Sequence, residues 1–297
     1  MISKQIIEQI RQIQFKTRKA LSGAMVGSCS TKYKGSGFDF DQVREYVQGD
    51  DLRFIDWKST ARANKLLTKQ YFIERNYRIL IALDVSSSSF VGTGSRSKYS
   101  YLSQLAAIFS LVAEYNRDEI GLILFSDQIN QELPIKRGKA HNLKILETIF
   151  GCESKANIGK VSGTNLDFLF QKLGQNLRKK SLIVLISDFI DEHDYTAKLR
   201  ALQVKHDVLV VRYLDQFELA IPNVGILPIS NPETGVCGML DTRFAHDHNS
   251  ELSLSLKNRV RAQDELFRSC GIDFLQISSS VDPVQAVVKF FKKRLTY

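Results

Sequence analysis

At 297 residues, 43% hydrophobic and 25% charged, the chain has the make-up of an ordinary globular protein, with room for one large domain and a smaller appendage. Its uninterrupted apolar stretches, such as Ile79–Leu83 and Leu182–Ile186, run to about five residues where a bilayer span needs about twenty, so no membrane-crossing helix is expected. The formal net charge is +9, and residues 1–76 hold fourteen Lys and Arg against eight Asp and Glu, a local balance of +6. A field of that sign attracts acidic proteins, anionic lipid or nucleic acid, and it speaks to association, not to fold.

The N-terminus alternates charged and apolar residues and has neither a continuous hydrophobic core nor a small-residue cleavage site. It therefore reads as no signal peptide, and a cytoplasmic location, with membrane association only through partners, is expected. Ile6, Ile7, Ile10, Ile13 and Leu21 recur at near-helical spacing and predict an amphipathic helix over 3–21. From Ser22 to Arg75 the pattern turns irregular, so residues 1–76 are expected to form a helical and irregular extension. Its acids and bases, Asp50, Asp51, Arg53, Asp56 and Arg62, alternate in sign. They predict an ion-pair network that pins the segment to the main domain, with Trp57 as its apolar anchor. The rival reading makes Arg44, Arg53 and Arg62 a site for an acidic partner or a phosphate.

Residues 77–297 alternate strand and helix signals. Strands are expected at 77–84, 120–125, 129–135, 181–187, 207–212 and 273–277, the third of them polar enough for a sheet edge. Helices are expected at 98–116, 139–150, 165–177, 195–205, 249–270 and 283–295. This order predicts an α/β fold, a doubly wound and mostly parallel sheet with helices on both faces. Pro222, Pro228, Pro232 and Gly235 interrupt it with a loop or short hairpin at about 216–245. Cys29, Cys152, Cys237 and Cys270 form no C-x-x-C pair and read as free thiols; His246 and His248 read as a solvated loop.

The chemistry gathers where strands end. The first apolar strand runs into Asp84-x-Ser86-x-Ser88, Thr164 opens a helix with Asp167 as its capping-box partner, and Asp188 closes the strand 181–187. A D-x-S-x-S string alone arises by chance in about one chain in fourteen. Here three elements deliver two carboxylates and three hydroxyls to the carboxyl-end rim of one sheet, the place where open α/β sheets bind ligands. Oxygen donors of this kind suit a small hard cation, Mg²⁺ first, with Mn²⁺ or Ca²⁺ as alternatives. Neutral hydroxyl ligands leave such an ion electrophilic toward an acidic side chain of a partner. The bland alternative assigns Asp84, Ser86, Ser88 and Asp188 to turns and caps.

Asp84, Ser86, Ser88, Thr164 and Asp188 resemble the metal-ion-dependent adhesion site of von Willebrand factor A domains, over about residues 77–295. Gly35-Ser-Gly37, Arg44-Glu45-Tyr46, Gly49-Asp50-Asp51, Arg53, Ile55-Asp56-Trp57, Ala61-Arg62 and Leu67 resemble the signature that precedes the A domain in the bacterial family called domain of unknown function 58. Pro232-Glu233-Thr-Gly235 and Asp241-Thr242 fall where that family carries a short insertion. The resemblance implies a metal-dependent protein-binding module or adaptor, not an enzyme, working beside a MoxR-type AAA+ ATPase. Many relatives carry N-terminal transmembrane helices, and most have Met just after the last metal serine; this chain has Ser89 and then Phe90 there. Two further functions compete. One is a metal-dependent hydrolase, for which no general base stands in any motif relation to the site. The other is a nucleic-acid-binding protein using the basic N-terminal quarter with Tyr33, Phe38, Phe40, Tyr46 and Trp57. Gly92-Thr-Gly94 lacks the lysine and spacing of a phosphate-binding loop, so nucleotide hydrolysis by this chain is not expected.

Overall fold

The computed structural model of the protein describes residues 39–72, 77–92, 97–155, 162–191, 193–215, 223–231, 233, 235–245, 251–279 and 281–295. The helix expected over 3–21, together with Tyr33, Phe38, Cys29, His246 and His248, lies outside them.

Residues 39–72 hold more regular structure than their pattern suggests. Strand β1 (Asp39–Glu45) pairs antiparallel with β2 (Leu67–Phe72), and helix α1 (Trp57–Ala63) lies between them in sequence. Asp56 caps that helix, its carboxylate accepting from the Lys58 and Ser59 N–H groups, and Asn64 ends it in the left-handed region at φ 52°. Two expectations need correcting. Trp57 is 67% exposed and anchors nothing, because as the first helical residue it turns outward while Ile55 takes the buried position. The ion pairs Arg44–Asp50, Arg53–Asp51, Lys65–Glu45 and Lys69–Asp56 join residues of this segment to one another. They fold the segment on itself and do not pin it to the main sheet.

The main sheet has six strands: β3 (Arg78–Asp84), β4 (Glu119–Phe125), β5 (Ile129–Lys136), β6 (Leu182–Ser187), β7 (Asp207–Tyr213) and, last in the chain, β10 (Asp273–Ile277). Their order is β10-β7-β6-β3-β4-β5, parallel throughout except for the edge strand β5, which is antiparallel to β4. The central strands are apolar on both faces, as a two-sided sheet requires. Ile79, Ile81 and Leu83 face α2 (Lys98–Tyr115), α3 (Lys139–Lys155) and the final helix α8 (Pro283–Leu295) through Leu102, Leu105, Phe109, Ile145, Ile149 and Val287. Leu80 and Ala82 face α4 (Leu166–Asn176), α5 (Thr196–Lys205) and α7 (Glu251–Ser269) through Leu169, Phe170, Leu199 and Phe267. A second antiparallel pair, β8 (Ile226–Ser230) and β9 (Cys237–Asp241), forms the hairpin expected within 216–245 and runs into the short helix α6 (Thr242–Ala245).

From β3 the chain proceeds to β4 and β5 on one side, then returns to build β6, β7 and β10 on the other. The sheet order therefore reverses between β3 and β6, whose carboxyl ends lie side by side. That topological switch point is where an open α/β sheet leaves a crevice.

Candidate functional site

Asp84 is the last residue of β3, and the parallel register pairs Leu83 with Ile186, so Asp84 and Ser187 are neighbours on adjoining strands. The Ser187 hydroxyl donates to Asp84 Oδ2 at 2.6 Å, while the Ser86 N–H donates to Asp84 Oδ1 at 2.9 Å. These bonds fix the carboxylate rotamer before any ligand arrives. The chain then turns through a short 3-10 helix, Ser87–Phe90, which brings Ser86 Oγ and Ser88 Oγ to 3.0 Å from each other. Phe90 fills the position noted as a departure by stacking on Tyr99, with ring centroids 4.7 Å apart.

Thr164 arrives from the loop before α4. That helix is capped by Asn165, whose side chain accepts from the Phe168 N–H at 2.8 Å, so the expected cap at Thr164 with Asp167 is displaced by one residue. The displacement matters, because a capping Thr164 would spend its hydroxyl on the helix. Instead Thr164 Oγ1 stands 3.5 Å from Asp84 Oδ2 and 3.4 Å from Glu233 Oε1. Three clamps hold its loop. Ser162 exchanges hydrogen bonds with Ser87, the Asn165 N–H donates to the Ser126 carbonyl, and the Leu166 N–H donates to Asp191 Oδ2 at 2.6 Å.

Asp188 leaves β6 in a turn held by the Phe189 N–H donating to Ser187 Oγ and the Ile190 N–H donating to Asp188 Oδ1. Phe189 adopts φ 58°, a left-handed conformation that costs a bulky side chain energy and that buried packing against Phe267 holds in place. Asp188 Oδ2 accepts from Lys98 Nζ at 3.3 Å.

The structure thus brings together all five oxygen-bearing residues singled out in the sequence, each of them buried. It adds two that sequence reasoning passed over. Lys98 is the first residue of α2, where a cation opposes the helix dipole; that mismatch was the available signal that it serves something else. Glu233 sits at the tip of the β8–β9 hairpin and reaches Thr164 and Ser88 across the mouth of the crevice. Only its place in an Asn-Pro-Glu-Thr-Gly turn hinted at it.

The electrostatics are those of a site short of positive charge. Burial, and then the charge of Asp188, push the Asp84 carboxyl up to about 7, against the pull of its bonds from Ser187 and Ser86. Burial also raises Glu233 above the ordinary glutamate value, with Asp188 adding to the effect and the Ser88 hydroxyl and the Thr164 hydroxyl and backbone N–H opposing it. Three carboxylates thus share one crevice with the Lys98 ammonium. Among the described residues no group of three or more His, Cys, Asp and Glu is set to hold a metal ion, so a cation here would need the hydroxyls as well as the acids.

The family described as "Protein of unknown function DUF58" matches residues 42–253, more than two thirds of the sequence. The chain belongs to that family. This DUF58 member is 25% identical over 287 residues to the uncharacterized protein Rv1480 of Mycobacterium tuberculosis, covering 96% of this chain and 88% of that one, and equally so to the uncharacterized protein Mb1516 of Mycobacterium bovis. Among solved structures it is similar to the conserved hypothetical protein BatB of Bacteroides thetaiotaomicron, at 17% identity and TM-score 0.47 over 74% of this chain and 100% of the other. It is also similar to the SpRpn10 VWA domain, at 10% identity and TM-score 0.37 over 74% of this chain and 95% of the other. Among the described residues of this DUF58 member no helix is long and apolar enough to cross a membrane.

Proposed function

We propose that the chain is a protein-binding module that uses a divalent cation, Mg²⁺ first, to engage an acidic side chain of a partner. The observation that carries this reading is the convergence of Asp84, Ser86, Ser88, Thr164 and Asp188 at the switch point of the sheet, with more negative than positive charge around them. Oxygen donors in this mixture fit a hard cation and suit no soft metal. Ser86, Ser88 and Thr164 would hold the ion through their hydroxyls, with Asp84 and Asp188 supplying carboxylate oxygens directly or through water. When bound, Mg²⁺ would supply an electrophilic centre for a partner's Asp or Glu. Ser187, Ser86 N–H and the Asp191 clamp keep the ligands in place while that partner comes and goes.

The family resemblance points to a MoxR-type AAA+ ATPase as the companion in the same pathway. The basic extension is read as serving protein association; in its described part Arg44 and Arg53 pair with Asp50 and Asp51. Capture of partners from the native cell by immobilised protein tests the proposal. Retention in Mg²⁺ that is lost in chelator and in Asp84→Ala supports it, and retention indifferent to both sinks it.

A second reading gains from Glu233. A metal-dependent hydrolase lacked a general base in the sequence, and here a carboxyl raised by burial faces the same crevice. Turnover of a phosphoester or peptide by the purified protein, lost in Glu233→Gln, would favour it over the binding module.

A further inference from the structure

Among the described residues Glu233 is the one acid at the crevice that belongs neither to the sheet nor to the loops that build it. Its hairpin rests on little. Ile226, Ile229, Val236 and Met239 are exposed, and the base is held chiefly by Thr242, whose hydroxyl donates to the Gly225 carbonyl and accepts from the Val224 N–H. The tip, by contrast, is preformed. Asn231 accepts from the Glu233 N–H through its side chain and from the Gly235 N–H through its carbonyl, both at 2.8 Å, and Gly235 takes φ 73° to close the turn. An anchored base, a thinly packed middle and a rigid acidic tip make a lever whose opening exposes little new apolar surface.

The contacts at the tip are those of a ligand and not of a structural pair. Among the described residues Glu233 is paired with no cation; it meets the Thr164 hydroxyl at 3.4 Å, the Ser88 hydroxyl and the Thr164 backbone N–H, and its Oε2 lies against Gly163. At 3.4 and 3.5 Å from Glu233 and Asp84, the Thr164 hydroxyl stands between two carboxylates without closing on either. A half-buried carboxylate next to Asp188, held by the Ser88 and Thr164 hydroxyls and the Thr164 backbone N–H but by no cation among the described residues, is costly unless a cation shares the crevice.

We propose that Glu233 is the internal occupant of the carboxylate position of this site, so that the β8–β9 hairpin latches over it and an acidic peptide binds by displacing Glu233. This rests on the reading that Ser86, Ser88, Thr164, Asp84 and Asp188 hold a divalent cation. The partner would then be selected for a Glu or Asp in a turn like the hairpin's own tip, and its binding would free the hairpin to swing outward. A ligand tethered in cis competes at high effective concentration, so affinity for an outside acid is kept low until the tether is removed.

The experiment uses the full chain as wild type, Glu233→Ala, Glu233→Gln and Asp84→Ala, each checked for an unchanged unfolding midpoint. Mg²⁺ binding is measured by calorimetry, and binding of a synthetic peptide copying residues 229–237, with a Glu-to-Ala version of that peptide as control, is measured in Mg²⁺. Removal of Glu233 is expected to weaken Mg²⁺ binding and to tighten peptide binding by about tenfold or more. The control peptide should not bind, and hydrogen exchange across residues 226–241 should rise in both Glu233 variants. Equal peptide affinity in wild type and Glu233→Ala, with Mg²⁺ binding intact and lost only in Asp84→Ala, overturns the latch and leaves the cation site standing. Absence of Mg²⁺ binding in wild type overturns both.

Discussion

The Ser187 hydroxyl and the Asp84 carboxylate meet at 2.6 Å across the switch point, joining the carboxyl ends of β3 and β6 one residue before Asp188. The Phe189 N–H donates to the same hydroxyl, so a single side chain orients Asp84 and shapes the turn that presents Asp188. Ser187→Ala removes both bonds and leaves a buried carboxylate oxygen short of a donor. Stability should fall by about 1–2 kcal/mol. Because Ser187 orients ligands without being one, Mg²⁺ affinity should fall by about tenfold or more. Calorimetric Mg²⁺ titration beside thermal unfolding checks both; an unchanged Mg²⁺ affinity would show that the bond does not serve the site.

The same residues mark the boundary of what could be read in advance. The strand at Ile79–Leu83 and its closing Asp84 were legible because five apolar residues bounded by a D-x-S-x-S turn have few other places to go in an α/β protein. Asp188 was legible for the same reason. Thr164 was placed at the right rim for a partly mistaken reason, since Asn165 outcompetes it as the cap and the switch frees its hydroxyl. Lys98 and Glu233 were not legible as site residues. Their partners lie 90 and 69 positions away in the chain, and neither helix periodicity nor turn chemistry encodes a contact at that range. Trp57 failed as an anchor because burial of an aromatic in a short helix depends on which neighbour covers it, and composition alone does not carry that.

Asp118 gives the protein a pH dependence away from the site. It is buried just before β4, where its carboxylate accepts from the Tyr77 N–H at 2.9 Å, and burial raises it from 3.8 to about 6 despite that bond and the charge of Arg137. With the folded value above the unfolded one, the folded protein keeps a proton that the unfolded chain has released. Its contribution is therefore most favourable below about pH 4 and is lost progressively as pH rises to about 6, where it levels off. Asp118→Asn keeps the acceptor for Tyr77 and removes the titration. Denaturant unfolding between pH 4 and pH 7 should show a shallower decline for the variant by on the order of 1–3 kcal/mol. Parallel curves for the two proteins would assign the slope elsewhere.

Gly121 lies in the middle of β4 where the register against the edge strand β5 shifts. A Cβ there would meet Ile135 Cγ1 at 2.8 Å, the Leu133 carbonyl oxygen at 2.9 Å and the Ile135 nitrogen at 3.0 Å. Two of these are backbone atoms that cannot swing away, so β5 must shift. Gly121→Ala should destabilise the protein by about 1–3 kcal/mol, read as a lower denaturation midpoint with an unchanged slope. A variant as stable as wild type would mean that β5 yields at no cost.

The central claim is that hydroxyls from two distant loops and carboxylates from two strand ends hold one divalent ion. A crystal structure determined with Mn²⁺, with data collected at a wavelength where manganese scatters anomalously, tests it most directly. The account predicts a single anomalous peak in the crevice within about 2.2 Å of oxygens from Ser86, Ser88 or Thr164. It also predicts that Asp84 and Asp188 lie no farther away than an intervening water. A crevice without that peak at saturating Mn²⁺, with Lys98 still bonded to Asp188 as the only cation present, would contradict it.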